Sequence, residues 1–496
     1  MNPLKKLAGQ TAIYGISSII GRLINYLLVP LYTRIFSTDQ YGIVTEMYAY
    51  VSFLIIILTY GMETAFFKFS VEEKDSHKVF STSIVSIFST TILFILVCIL
   101  YSTPIGNYLG YSNHTEYVKW FALIIGFDAL SAIPLAKLRA LNRAGYFMWV
   151  NLANVGVNIA LNFFFLVYCK HVYDSSNTGT NWIINTCYNP EIGVGYVFIS
   201  NLIASTVKLL LLSPVFFRTR FYPDLKLLRK MLIYAIPLLL GGLAGIINET
   251  ADRVMLKHLL PLSEKETLTQ LGIYGACYKI SILMTLFIQA FRFAAEPFFF
   301  SKQKESGAKR LYATVMNYFV AICSILFLGI MLYIDVVMRL IGEEFRTGIG
   351  IVPVLLMANL FLGIVFNFSI WYKLTGKTIY GAYLALFGAS ITIVLNYIWI
   401  PQIGYVGSAY ATLICYASIA VLSYILSRKH FAVDYNLLKI VTYPFSAFIL
   451  YYFSNNFIAM DGSLKYFLNS LLFIAFVIGV VLIEKPTKFA VLNKNN

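Results

Sequence analysis

Charge is what this 496-residue chain lacks most: only 12% of its residues are Asp, Glu, Lys or Arg, against 59% hydrophobic. A soluble chain keeps roughly a quarter of its residues charged, so the soluble classes are excluded at the outset. Acids are the scarcer sign, 23 against 38 Lys and Arg, for a formal net charge of +15. That excess lies in short gaps between apolar runs. Positive-inside bias and anionic lipid headgroups account for it there, and nucleic acid is not expected as a partner. The six cysteines include no CxxC pair, and the five histidines stand apart, so no metal site is expected. Cys98, Cys277, Cys323 and Cys415 fall in apolar runs as small fillers. Cys169 and Cys187 share one polar gap, where an oxidising compartment would let them pair. No glycine-rich P-loop is present, so ATP does not drive the chain from within, and no cofactor is expected.

What the chain does have is about fourteen apolar runs, from Gly9 to Ile483, most near the roughly twenty residues that span a bilayer as a helix. The reading is an all-α polytopic membrane protein. Met1 to Lys6 is a short basic start without a small-residue cleavage site after it, so the first run is expected to stay as an anchor. Counted by side, the gaps hold about 25 Lys and Arg on one face and about 9 on the other, which places both termini in the cytoplasm. The longest outer gap, near 169–193, is too short for a soluble domain.

The chain echoes itself. Ala160-Leu161-Asn162 late in span five matches Val394-Leu395-Asn396 late in span eleven. Pro190-Glu191-Ile192-Gly193 and Pro401-Gln402-Ile403-Gly404 open spans six and twelve. Arg34 with Tyr41-Gly42 pairs more loosely with Arg253 and Tyr274-Gly275. Six spans separate the copies, so equivalent helices cross the membrane in the same direction. This predicts two six-helix lobes in a parallel pseudo-twofold repeat, 1–217 and 231–426, joined by an interfacial linker at 218–230. Residues 427–496 add two further spans and a cytoplasmic tail. Such a repeat serves a midplane cavity that opens alternately to either side.

Ionisable groups at depth mark where that cavity would lie. Arg22 falls mid-span one and Asp128 mid-span four; unpaired and facing lipid, each costs about 2.5–3.5 kcal/mol. Either Arg22 meets a substrate anion and Asp128 a coupling Na+ or H+, or the two pair with each other. Lys208 in span six and Lys279 in span eight are further cavity cations, each also able to snorkel outward. Glu63, near the cytoplasmic end of span two, is a second ion-coupling candidate. Asn151, Asn154, Asn158 and Asn162 recur at spacings that put four amides on one face of span five, where they meet water, sugar hydroxyls or other helices.

The segment Pro30-Leu-Tyr-Thr-Arg34-Ile-Phe-Ser-Thr-Asp-Gln-Tyr41-Gly42 resembles the first-span exit of the Wzx-type polysaccharide biosynthesis proteins. These belong to the multidrug/oligosaccharidyl-lipid/polysaccharide flippase superfamily. Asp252-Arg253, Gly272-Ile-Tyr-Gly-Ala276, Lys279 and Glu296-Pro297 are similar to that family's second half. The resemblance implies a MATE-like bundle in the bacterial cytoplasmic (inner) membrane. Its cargo would be a polyprenyl-diphosphate-linked oligosaccharide, flipped to the outer leaflet for cell-surface polysaccharide such as O-antigen or lipopolysaccharide. It also implies that Arg22, Lys208 and Lys279 meet the diphosphate, that the span-five asparagines meet the glycan, and that polysaccharide polymerases are partners. The last two spans would floor a groove for the lipid tail. The lipid II branch carries an Arg followed by Asp in its first span; here Leu23 follows Arg22, which argues against lipid II as cargo. The rivals are a multidrug/toxin antiporter, whose cationic cargo suits a more acidic cavity, and a membrane polymerase or ligase. The latter would need an outer catalytic loop, and the 169–193 gap offers only Asp174 and Glu191 as acids.

Overall fold

The computed structural model describes residues 21, 23–24, 26–73, 75–175, 187–217, 222–303, 305, 307–457 and 462–484. Thirteen helices among the described residues are long and apolar enough to cross a membrane. Most of the first span lies outside the described residues. The protein is an all-helical, multi-pass membrane protein, as the run lengths predict.

The first half runs α1 (Leu28–Ile35), α2 (Thr38–Thr59), α3 (Met62–Glu72), α4 (Ser76–Leu100), α5 (Ser102–Leu109), α6 (Glu116–Ala140), α7 (Ala144–Phe163), α8 (Lys170–Asp174) and α9 (Gly195–Phe217). A π-helical stretch, Phe164–Cys169, joins α7 to α8. The second half runs α10 (Leu225–Leu259), α11 (Glu264–Lys302), α12 (Ala308–Leu332), α13 (Ile334–Val337), α14 (Val352–Phe368), α15 (Ile370–Leu374), α16 (Ile379–Ile403), α17 (Tyr405–His430), α18 (Leu437–Phe457) and α19 (Ser463–Ile483). Span two is broken where the sequence reads as continuous. Tyr60 and Gly61 take left-handed backbone angles, φ 34° and 70°, and a side chain at Gly61 would press on the Ala235 carbonyl. α11 has 39 residues, about 58 Å at 1.5 Å per residue, nearly twice the hydrocarbon core. It therefore tilts or projects beyond the bilayer.

Helix starts follow local chemistry. Ser37 and Gln40 form a capping box ahead of α2. Asp75 caps α4 by accepting from the His77 and Lys78 amides, and Asp224 caps α10 by accepting from Lys226 and Leu227. Prolines inside α6, α9, α10, α11, α16 and α18 are tolerated because neighbouring helices re-satisfy the freed backbone groups.

Packing divides the chain into two units: 1–276 with 385–408, and 277–384 with 409–496. In the first, Leu58, Met62, Phe66, Phe80, Ile84 and Ile133 form one core with Met231 and Ala235 of α10. α10 thus packs in the groove beside α3 and α4. In the second unit, Asn469 of α19 donates to the Leu332 carbonyl of α12 at 2.7 Å and accepts from Ser454 of α18 at 2.6 Å. These buried bonds fix the last two spans against α12.

Candidate functional site

The first unit carries a polar seam through its apolar helices. α6 holds Asp128 at mid-length, and α9 brings Ser205 and Lys208 to the same carboxylate. Lys208 Nζ lies 2.6 Å and Ser205 Oγ 2.8 Å from Asp128 Oδ1. Lys208 is 8% exposed. An ammonium so buried is tolerable only with its charge matched, which the carboxylate does. Nearly two turns before Lys208, Asn201 donates to the Tyr48 hydroxyl of α2 at 2.8 Å, and the Tyr48 ring sits edge-on to Phe121 and Phe198.

The asparagines of α7 divide by role. Tyr32 of α1 donates to Asn162 Oδ1 at 2.9 Å, and Asn162 Nδ2 reaches the Asn158 carbonyl and amide oxygens at 2.8 and 3.1 Å. Asn162 is fully buried, and these bonds hold the end of α7 against α1. Asn151 bonds back to the Phe147 carbonyl at 2.8 Å. Asn154 is half-buried, and its Oδ1 has no hydrogen-bond partner among the described residues. The π-helical stretch begins two residues after Asn162 and interrupts the α-helical register there.

The other sequence candidates lie elsewhere. Arg22 lies outside the described residues. Glu63, on α3, is held by the Arg139 guanidinium from the end of α6, which also lies over the Phe67 ring. Lys279 is half-buried on the part of α11 that belongs to the second unit. In that unit Glu296 is engaged by Lys373 and by Arg292, the latter at 3.3 Å.

Two further constellations lie at the end of the first unit where α2 and α11 begin. Asp252 and Arg253 of α10 form an ion pair at 3.1 Å, and the Tyr274 hydroxyl donates to Asp252; all three are buried. These are motif residues, and the signal lay in their motif membership rather than in any spacing. Beside them, Glu46 is fully buried, accepts from the Tyr111 hydroxyl at 2.5 Å and lies 3.6 Å from Lys257. Lys257 also pairs with Glu264 at 3.2 Å. Burial first, and the adjoining Glu46 second, push the Tyr111 hydroxyl well above its ordinary pKa, so it remains a donor. Among the described residues no group of His, Cys, Asp and Glu is placed to hold a metal.

Residues 7–303 match the profile of a family described as "Polysaccharide biosynthesis protein". The chain belongs to that family. No curated protein matches the chain. Among solved structures it is similar to "Lipid II flippase MurJ, inward closed conformation", with TM-score 0.70, 16% identity, and 95% of this chain and 98% of that one covered. A "multidrug resistance MATE family transporter of the MOP superfamily" is similar in its inward-facing form, with TM-score 0.62, 15% identity and coverages of 82% and 94%. Its outward-facing form gives TM-score 0.59, 14% identity and coverages of 86% and 98%. At these identities the likeness is one of fold. In this member of the polysaccharide biosynthesis family, the first-span motif from Pro30 to Gly42 runs along α1 into α2, beside the buried Tyr32–Asn162 bond.

Proposed function

We propose that the protein is a flippase that carries a polyprenyl-diphosphate-linked oligosaccharide from the cytoplasmic to the outer leaflet by alternating access. The observation that carries this reading is the buried Lys208 ammonium, held by the Asp128 carboxylate that Ser205 also bonds, in a unit whose α1, α2, α7 and α9 carry further hydroxyl and amide groups. A diphosphate is the anion that would draw Lys208 from its carboxylate. Hydroxyls and amides, Asn154 above all, suit the attached sugars. Arg22 and Lys279 complete the cation set in this proposal, and Asn151, Asn158 and Asn162 line or support the glycan path. Sodium or a proton bound at Asp128 while Lys208 engages substrate would couple the cycle to an ion gradient; Glu63 is the second acid offered for that task. Two six-helix lobes, 1–217 and 231–426, would rock about the site, with both termini in the cytoplasm of a bacterial inner membrane. Polysaccharide polymerases would take up the product.

Family membership supports the polysaccharide pathway, and the fold supports transport. The test is export of lipid-linked glycan in cells whose own flippase is deleted. Lys208→Ala and Arg22→Ala should each remove export when export is normalised to membrane abundance. Normal export by both would refute the role of these cations, and efflux of cationic dyes in place of glycan would favour the antiporter.

A further inference from the structure

Two cavities of opposite character adjoin at the end of the first unit where α2 begins. One, of about 200 Å³, is walled by Met47, Leu54, Phe94, Ile105, Phe121 and Ile125, with Cys98, Tyr50 and Leu109 at its margins. The other, of about 270 Å³, is lined by Asn107, Tyr108, Lys257, His258, Glu264 and Thr267, and it too touches Leu109. Tyr50 links them: its ring lines the apolar cavity while its hydroxyl bonds His258 Nε2 at 3.0 Å.

We propose that the pair of cavities holds one membrane phospholipid with a zwitterionic, amine-bearing headgroup, its first chain in the apolar cavity and its phosphate and amine in the polar one. Three observations commit the occupant. The apolar cavity lies along α4, whose Leu93 and Leu100 are 64% and 76% exposed, so it borders a face that in a membrane meets acyl chains. The polar cavity borders the short helix α5, flanked by the exposed tyrosines Tyr101 and Tyr108, the residue type that settles at headgroup level. Its charges are mixed. Asn107, His258 and Lys257 face a phosphate, Lys257 as an ammonium already paired with Glu46 and Glu264 and left with one further proton to donate. Glu264, bonded to Lys257 through Oε1, offers its other carboxylate oxygen to an ammonium. Behind them Glu46 is fully buried, with Oε1 unbonded among the described residues. A purely anionic headgroup would leave Glu264 against a like charge.

The test uses the purified full-length chain in nanodiscs of equal phosphatidylethanolamine and phosphatidylglycerol, released into a mass spectrometer under native conditions. One phosphatidylethanolamine per chain is expected to persist. Glu264→Gln should weaken its retention about tenfold, the loss of one charge-assisted hydrogen bond. Cys98→Phe, which fills the apolar cavity from its half-buried margin, should abolish retention; Ile105→Trp fills it from α5 should the first variant fail to fold. Equal retention of both lipids, or undiminished retention in both filled variants, overturns the proposal. Retention of polyprenyl lipid in place of phospholipid overturns it as well, and free phosphoethanolamine should not compete. None of these readouts depends on flipping.

Discussion

Lys208 Nζ and Asp128 Oδ1 stand 2.6 Å apart on helices α9 and α6, so the two ionisable groups that sequence treats separately form one neutral unit. Removing the carboxylate leaves the buried Lys208 ammonium unmatched, a cost on the order of 3 kcal/mol. Removing the lysine strands a carboxylate that is 30% exposed, at a smaller cost. Asp128→Asn and Lys208→Met should each lower the thermal midpoint of the purified protein, and the double variant should recover most of the loss. Glycan export should stay absent in Lys208→Met and in the double variant. A double variant that recovers both stability and export would remove the lysine from transport and leave it a structural pair.

Four asparagines on one helical face do not share one fate. Asn162 is locked by Tyr32 and Asn158, whereas Asn154 keeps an unbonded oxygen. In a cysteine-free background, Asn154→Cys should react with a membrane-impermeant thiol reagent while Asn162→Cys stays inert. Asn162→Leu should destabilise by about 1–3 kcal/mol, since it leaves the buried Tyr32 hydroxyl without its acceptor. Equal reactivity at both positions would show that the face is wet throughout.

The architecture was legible because run length and charge asymmetry are set by the bilayer itself and need no tertiary information. Ion pairing was not. Asp128 and Lys208 are eighty residues apart, and only the packing of α6 on α9 decides that they meet. Sequence instead offered Asp128 a pairing with Arg22, because both fall at the middle of their spans. Glu46 illustrates the same limit. It reads as an unremarkable acid near a span end, and only the convergence of the 110–115 turn, α10 and α11 turns it into a buried group with Tyr111 and Lys257 as partners. The break at Tyr60 escaped notice because an apolar run looks alike with or without a kink.

Close helix approach makes two glycines irreplaceable. A Cβ on Gly42 of α2 would collide with the Leu268 carbonyl of α11, and one on Gly272 of α11 with the Thr38 carbonyl of α2. Both neighbours are backbone atoms, which cannot turn aside as a side-chain tip can. Small residues let membrane helices meet in this way. Gly42→Ala and Gly272→Ala should each cost about 1–3 kcal/mol or more from overpacking, read as a lower thermal midpoint and reduced membrane abundance. Gly156, whose Cβ would meet nothing, is the control and should accept alanine silently. Wild-type stability in Gly42→Ala would mean that α2 and α11 lie farther apart than described.

The entry to α10 is fastened by acids whose protonation can be followed. Lys78 first, and then the Leu227 and Lys226 amides, hold the Asp224 carboxyl down at about 2, below its ordinary 3.8. Tyr222 likewise lowers Asp75, which caps α4. A carboxyl depressed in the folded state contributes stability fully above its unfolded pKa and loses it as pH falls through the folded one. The fastening should therefore hold above about pH 4 and weaken progressively toward pH 2. The Tyr222 and Asp224 amides, which donate to Ser81 and Thr82 at 2.7 and 3.1 Å, report on it directly. Their hydrogen-exchange protection, corrected for the intrinsic acid dependence, should fall across that window. In Asp224→Asn, where the cap survives without the charge, protection should be lower at neutral pH and should respond less to acid. An unchanged acid response in that variant would assign the titration to a group other than Asp224.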